Sequence, residues 1–426
     1  MNESLILLLL LTLISLTLLL LGRRLFQSNF NPCLCWVIGF ILPSFTVFLN
    51  SELIFYIDLK SWLYIFTFSA LAFIAGALAG STKNYMNATP TLPLNECWSE
   101  SFTKKTILCC FLISLIGFSV NFNHVYSVFH SFFPPKGKIR IWELTFGEVN
   151  PIFNYMYFLI GLPYILSGMY LNIYKKKVWV WLIRYFSLTI TFCHGIRGTI
   201  INIVLIDFIF NHIVLYFRND KNAFVKHLSK SIFTTLFIML IAFIYVTIGR
   251  TGWEYNDIKN NLEIFLSYFN FNYLNLQIQL QNMGEYYYGA YTLQPLYNLF
   301  SFLFTLKNLN IHLFGYPNIP LLDERFNSGT ILRQFVVDFG PMGIGIGSFL
   351  ISFILSVAHT VSMNKKSIVS IFCYSVFFSQ ILFSFFLFEL IRIQFIFWIA
   401  VLIVIDAIYN RSSKSLNSSE LKSNTQ

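Results

Sequence analysis

The sequence predicts an all-α polytopic membrane protein of about eleven transmembrane helices, with one large periplasmic loop that contains amphipathic helices. Three observations carry that reading. Only 11% of the 426 residues are charged while 56% are hydrophobic, and a soluble domain of this length exposes far more charge. Apolar runs of roughly 17–22 residues recur between polar or charged clusters, the length an α-helix needs to cross about 30 Å of hydrocarbon. Lys and Arg gather on alternate connections, as their retention on the cytoplasmic side requires.

The runs fall at about 4–21, 32–50, 61–80, 106–121, 151–171, 178–194, 199–217, 231–248, 339–360, 367–388 and 393–409. Glu3 precedes the first, Arg23 and Arg24 follow it, and no small-residue cleavage site closes it, so it reads as a membrane helix and not a signal peptide. The chain thus divides into eight helices with short loops over 1–248, the large loop over 249–338, three helices over 339–410 and a cytoplasmic tail over 411–426.

One side of this arrangement collects Arg23, Arg24, Lys104, Lys105, Lys175, Lys176, Lys177, Lys365, Lys366 and Arg411, and is read as cytoplasmic. The N-terminus is then periplasmic and the C-terminus cytoplasmic. The net charge of +10 follows from that topology, and no basic run is interleaved with stacking aromatics in a way that suits nucleic acid. Seven cysteines, mostly in or beside apolar runs, show neither metal-ligand spacing nor a disulfide framework. Phosphate-binding glycine loops, a dinucleotide fingerprint and a zincin motif are all missing from the sequence.

Chemistry is expected in the long loop from Gly249 to about Asp338, which exceeds any ordinary connection. Within it, Ile258, Leu262, Phe265, Phe269, Tyr273, Leu276 and Leu280 recur at helical steps, so an amphipathic helix should lie on the membrane surface or cover the bundle. Arg197, in the turn after the sixth run, and Arg250, Arg325 and Arg333, in or beside the loop, are candidates for anion binding. Guanidinium forks donate paired hydrogen bonds to diphosphates and stay charged, although arginines at helix ends also snorkel. His312, Glu324 and His194 are candidate proton acceptors; the acidic group beside Arg325 can equally be its ion-pair partner. Trp253, Tyr287 and the other loop aromatics suit a sugar face or a membrane interface. Asn327 or Ser328 should cap a short helix that begins near Thr330 and is broken by Gly340 and Pro341.

Arg184 and Asp207 stand inside consecutive antiparallel runs, at estimated heights of about 9 and about 15 Å from the cytoplasmic face at 1.5 Å per residue. A structural ion pair between them is expected, fixing these two helices and the Arg197 turn above.

The arrangement resembles the Wzy-type O-antigen polymerases, the oligosaccharide repeat-unit polymerases of bacterial surfaces. The resemblance rests on the many spans, the outer turn Ile196-Arg197-Gly198-Thr199 and the late loop. It is most specific in Gly329-Thr330 and Asp338-Phe339-Gly340 leading into the next span. The Arg-x10-Gly pattern of some members is absent, since Arg197, Arg250, Arg325 and Arg333 all lack glycine at that offset.

The resemblance implies a metal-independent, cofactor-free glycosyl transfer from undecaprenyl diphosphate at the periplasmic face of the inner membrane. Arg197, Arg250 and Arg325 would hold the diphosphates and His312 or Glu324 would assist the attacking hydroxyl. Arg333, His194, Trp253, Tyr287 and Asp338 would contact substrate. It also implies a chain-length regulator as partner. An O-antigen ligase and a lipid-linked oligosaccharide flippase are the alternatives, and a flippase should carry more charge along a central pathway.

Overall fold

The computed structural model describes residues 2–26, 28, 30–49, 51–81, 98–131, 138, 141–142, 145, 150–174, 177–194, 197–217, 232–238, 240–241, 244, 255–282, 286–289, 292–293, 330–382, 384 and 393–423. Among them all regular structure is helical: α1 (Asn2–Phe26), α2 (Pro32–Leu49), α3 (Ser51–Ile54), α4 (Leu59–Gly80), α5 (Glu100–Phe129), α6 (Pro151–Phe158), α7 (Gly161–Ile173), α8 (Val178–His194), α9 (Arg197–Phe217), α10 (Tyr255–Asn282), α11 (Arg333–Phe339), α12 (Met342–Lys365), α13 (Ile368–Leu382) and α14 (Ile393–Ser423).

Eight of these described helical stretches are long and apolar enough to cross a membrane, namely Glu3–Phe26, Pro32–Leu49, Leu59–Gly80, Glu100–Phe129, Ile152–Ile173, Thr199–Phe217, Met342–Lys365 and Gln394–Arg411. Val178–Cys193 and Ile368–Leu382 are apolar but shorter. The run expected at 231–248 is helical over 232–238, and most of its remainder lies outside the described residues. The run expected at 106–121 forms a longer helix than expected. α5 has 30 residues, about 45 Å of helix, because Ser99 caps it by accepting from Phe102 N at 3.2 Å and its polar ends continue the helix beyond the apolar stretch.

The chain forms two compact units. The first comprises Met1–Thr89, Leu262–Lys365 and Val376–Ile393. Its central pair is α4 with α12. Phe68 lies against Gly345, Gly76 against Phe349 and Ser352, and Gly80 against Phe353 and Ser356, so the two helices run parallel and begin at the same end. Small residues let the backbones approach: a Cβ on Gly80 would stand 2.7 Å from Phe353 O and 2.8 Å from Ser356 Cβ. Ser352 donates across the contact to Phe73 O at 2.6 Å. Such small-residue seams are how apolar helices associate where no hydrophobic drive separates them from lipid.

α2 is wound into a π-helical turn at Val37–Ile41, and the Tyr273 hydroxyl of α10 donates to Phe40 O in that turn. Tyr273 is buried among Phe40, Trp62 and Phe66. The widened turn therefore receives a side chain from a distant helix, a use to which π-turns are often put.

The second unit comprises Pro90–Asn261, Lys366–Ser375 and Gln394–Gln426. Its 22-residue span Ile152–Ile173 is interrupted between α6 and α7, where Pro163 follows the break and cannot donate a backbone hydrogen bond. The Trp398 indole N–H donates to the Phe158 carbonyl at 2.6 Å, and its ring lies so close to Gly161 that no larger residue fits there. At another corner Trp98 Nε1 donates to Asp406 at 2.8 Å, while Glu100 accepts from Tyr170 at 2.6 Å and from Lys177 at 2.8 Å. The bond to Glu100 holds the Lys177 ammonium above its ordinary value.

Candidate functional site

The first unit gathers polar groups at the end where α4 and α12 begin. The C-terminal half of α10 leads there, and of the two placements expected for this helix it takes the one against the bundle, with a feature that was not expected. Tyr273 and Leu276 are buried as the apolar pattern requires, but Asn272, Asn275, Gln277 and Gln279 are buried as well. Residues 271–282 contain no charged side chain, and amides can enter a protein interior when they find partners.

Gln277 accepts from Asp58 N and donates to Tyr56 O, each at 2.9 Å, so its amide stands in for a backbone neighbour at the start of α4. Gln281 donates to Asp58 Oδ2 at 3.2 Å. Asp58 caps α4 by accepting from the Ser61 hydroxyl at 2.5 Å and Ser61 N at 2.9 Å. Those hydrogen bonds, the hydroxyl first, lower its carboxyl below the ordinary value. Gln279 donates to Arg333 O at 3.3 Å and so ties α10 to α11.

α11 is the short broken helix that the sequence anticipates, with two corrections. It starts at Arg333, three residues later than expected, and its N-cap Leu332 makes no side-chain cap bond. The turn before it is held instead by Ile331 N donating to Ser384 O at 2.7 Å. The two residues expected to cap it, Asn327 and Ser328, lie outside the described residues. Its end is as expected: Gly340 has φ 61° and ψ −149°, a conformation nearly restricted to glycine, and the Tyr286 ring occupies the space where a Cβ would project.

Arg333 and Asp338 are both buried, at 2% and 0% exposure, which sets them apart from charged residues at large, since these are rarely buried unless partnered. Asp338 Oδ2 accepts from Thr292 N at 2.6 Å and from the Thr292 hydroxyl at 2.5 Å. Its backbone carbonyl accepts from Tyr288 N at 3.0 Å. Tyr287, half-buried, is thereby held next to α11. Arg333, Tyr287 and Asp338 thus belong to one unit.

His194 closes α8 and Arg197 opens α9 in the other unit, and only their backbone is described. Arg250, Trp253, His312, Glu324 and Arg325 lie outside the described residues. Among the described residues no group of three or more His, Cys, Asp or Glu side chains is placed to hold a metal ion.

In the second unit the expected ion pair is formed and is larger than expected. Arg184 Nη2 stands 2.6 Å from Asp207 Oδ2 and Nη1 3.2 Å from Oδ1, with the guanidinium 4.5 Å from the centre of the Tyr164 ring. Asn211 donates to Asp207 Oδ1 at 2.7 Å and accepts from Asn172 at 3.0 Å.

Sequence reasoning passed over Thr292, Gln277 and Gln279 in the first unit and Asn172 and Asn211 in the second. The signal that could have found the α10 residues is the charge-free run of amides. Asn211 sits one helical turn from Asp207, a spacing that brings side chains together.

No protein-family model, no characterised protein and no solved structure matches the chain.

Proposed function

We propose that this protein polymerises lipid-linked oligosaccharide repeat units at the periplasmic face of a bacterial inner membrane, as an O-antigen polymerase does. The observation that carries the reading is α11: a seven-residue helix, bearing buried Arg333 and Asp338 and broken at Gly340, that leads directly into α12. This is the segment whose Asp338-Phe339-Gly340 run resembles that family. Broken helices with buried polar groups beside apolar spans are where backbone and side chains can meet a polar ligand.

In this reaction the hydroxyl oxygen of an incoming repeat unit attacks the anomeric carbon of the growing glycan. The bond from that carbon to undecaprenyl diphosphate breaks, and the hydroxyl proton passes to His312 or Glu324. Arg197, Arg250 and Arg325 hold the negative charge that stays on the leaving diphosphate, so the positive charge a metal often supplies comes from guanidinium groups. Arg333, His194, Trp253, Tyr287 and Asp338 position the sugars and the diphosphate. The N-terminus faces the periplasm and the C-terminus the cytoplasm, in keeping with the distribution of Lys and Arg. A polysaccharide chain-length regulator is the expected partner.

The test is the lipopolysaccharide banding pattern of the native host with the gene deleted and then restored as wild type or Arg197→Ala at matched expression. Collapse of the ladder to core plus one repeat unit, rescued by wild type alone, is the expected result. Loss of every O-antigen band would indicate the ligase or the flippase instead, and an unchanged ladder would overturn the reading.

A further inference from the structure

We propose that Asp338 is a positioning residue: it latches residues 286–289 and Thr292 across the C-terminal end of α11 and so sets Tyr287 beside the helix that carries Arg333. The inference rests on the preceding reading of Arg333 and Tyr287 as substrate contacts. It assigns Asp338 a task that needs no contact with substrate.

The latch has four parts. Thr292 presents both its backbone N–H and its hydroxyl to one oxygen of Asp338, at 2.6 and 2.5 Å. Tyr288 N donates to the Asp338 carbonyl at 3.0 Å. The Tyr286 ring covers Gly340, and Phe339 Cζ comes within 3.8 Å of the point where a Cβ would stand on Gly289. α11 is itself anchored from behind, by Gln279 on Arg333 O and by Ser384 O on Ile331 N.

Two features give these contacts a purpose beyond packing. First, Tyr288 and Gly289 both have positive φ, 49° and 97°; for a tyrosine this conformation is uncommon and persists where surroundings impose it. The bond from Tyr288 N to Asp338 O and the bond from Leu293 N to Gly289 O at 2.9 Å impose it here. Second, the Asp338 carboxylate is wholly buried, and burial of a charged group is costly unless it is hydrogen-bonded. Short bonds from a hydroxyl and an amide to a carboxylate are among the stronger kinds. A buried carboxylate whose oxygen accepts twice from one residue of a turn holds that turn in one place, and the turn carries Tyr287.

Hydrogen–deuterium exchange of the full-length protein in nanodiscs tests the latch, for wild type, Thr292→Val, Thr292→Ser, Asp338→Asn and Asp338→Leu. Chain growth is followed beside it, using polyprenyl-diphosphate-linked repeat units extracted from the native host. Thr292→Val and Asp338→Leu should raise exchange of the Tyr288 and Leu293 amides by roughly tenfold or more and raise the apparent KM for the repeat unit while kcat falls less. Thr292→Ser and Asp338→Asn, which keep a hydroxyl donor and an oxygen acceptor, should recover most of both. Should Asp338→Leu fail to fold, Thr292→Val carries the test alone.

Unchanged exchange in the folded variants would overturn the latch. Raised exchange with chain growth unaltered in KM and kcat would overturn the positioning role. No chain growth by wild type, with exchange following the latch, would overturn the polymerase reading and the positioning role with it, and leave the latch as a feature of the fold.

Discussion

Arg184 and Asp207 meet from consecutive helices through two parallel hydrogen bonds, 2.6 Å between Nη2 and Oδ2 and 3.2 Å between Nη1 and Oδ1. Removing one member of a buried pair strands the other charge and costs about 3–5 kcal/mol, whereas removing both leaves no unpaired charge. Arg184→Gln and Asp207→Asn should therefore each be severe and the double variant milder than either, read as thermal midpoints in detergent. Additive losses would mean that the two side chains do not depend on each other.

Gly168 backs that pair from α7. A Cβ at this position would stand 2.5 Å from Asn211 Nδ2 and 2.7 Å from Asp207 Oδ1, and it would run into Arg184 Nη1. Overpacking of this kind costs about 1–3 kcal/mol. Gly168→Ala should destabilise by that amount in wild type and by less in the Arg184→Gln and Asp207→Asn double variant, where the tight bidentate geometry is already gone. An equal loss in both backgrounds would show that the alanine methyl strains α7 itself.

Eight of the eleven expected runs are described helices long and apolar enough to cross a membrane, legible because length and hydropathy decide whether a helix can live in lipid, and the Arg184–Asp207 pair was legible because two lone charges in consecutive apolar runs have few other partners. The adjacency of α4 and α12 was not legible. It depends on Gly76 and Gly80 meeting Ser352 and Ser356 from a distant part of the chain, and small residues leave no periodic mark that names their partner. The burial of the amides in the C-terminal half of α10 was hidden for a different reason: a periodicity argument counts Asn and Gln as solvent-facing, while Gln277 and Gln279 bond to Tyr56, Asp58 and Arg333. Of the candidate site, the break at Gly340 follows from glycine's conformational range, whereas the burial of Arg333 and Asp338 was not legible, because a charged residue in a loop sequence reads as solvent-facing. Thr292 did not stand out, since a threonine in a loop has many uses and its partner lies 46 residues away.

Asp58 gives the start of α4 a pH dependence whose sign is set by its lowered carboxyl. A group with a depressed folded pKa stabilises fully above its unfolded value, about 3.9 for aspartate, and loses that contribution as pH falls through the folded value. Asp58→Asn keeps an acceptor for Ser61 but removes the charge, so at pH 7 it should cost a few tenths to about 1 kcal/mol, the lower end being expected for so open a site. The difference in thermal midpoint between wild type and Asp58→Asn should close as pH is lowered below about 4. A difference that stays constant down to pH 3 would mean that the carboxylate charge contributes nothing to the cap.

Gly340, the C-cap of α11, should not tolerate a side chain. Its φ of 61° with ψ of −149° lies where a non-glycine residue pays about 1–3 kcal/mol, and any Cβ there would also displace the Tyr286 ring. Two remedies separate the two costs. Tyr286→Ala in the Gly340→Ala background removes the steric clash and leaves the backbone penalty, so it should recover part of the stability but not all. Full recovery would mean that Tyr286 alone dictates the glycine, and no recovery would mean that the backbone conformation does. Since the same turn joins α11 to α12, the loss in Gly340→Ala should appear in hydrogen exchange at 333–339 before it appears in the apolar spans.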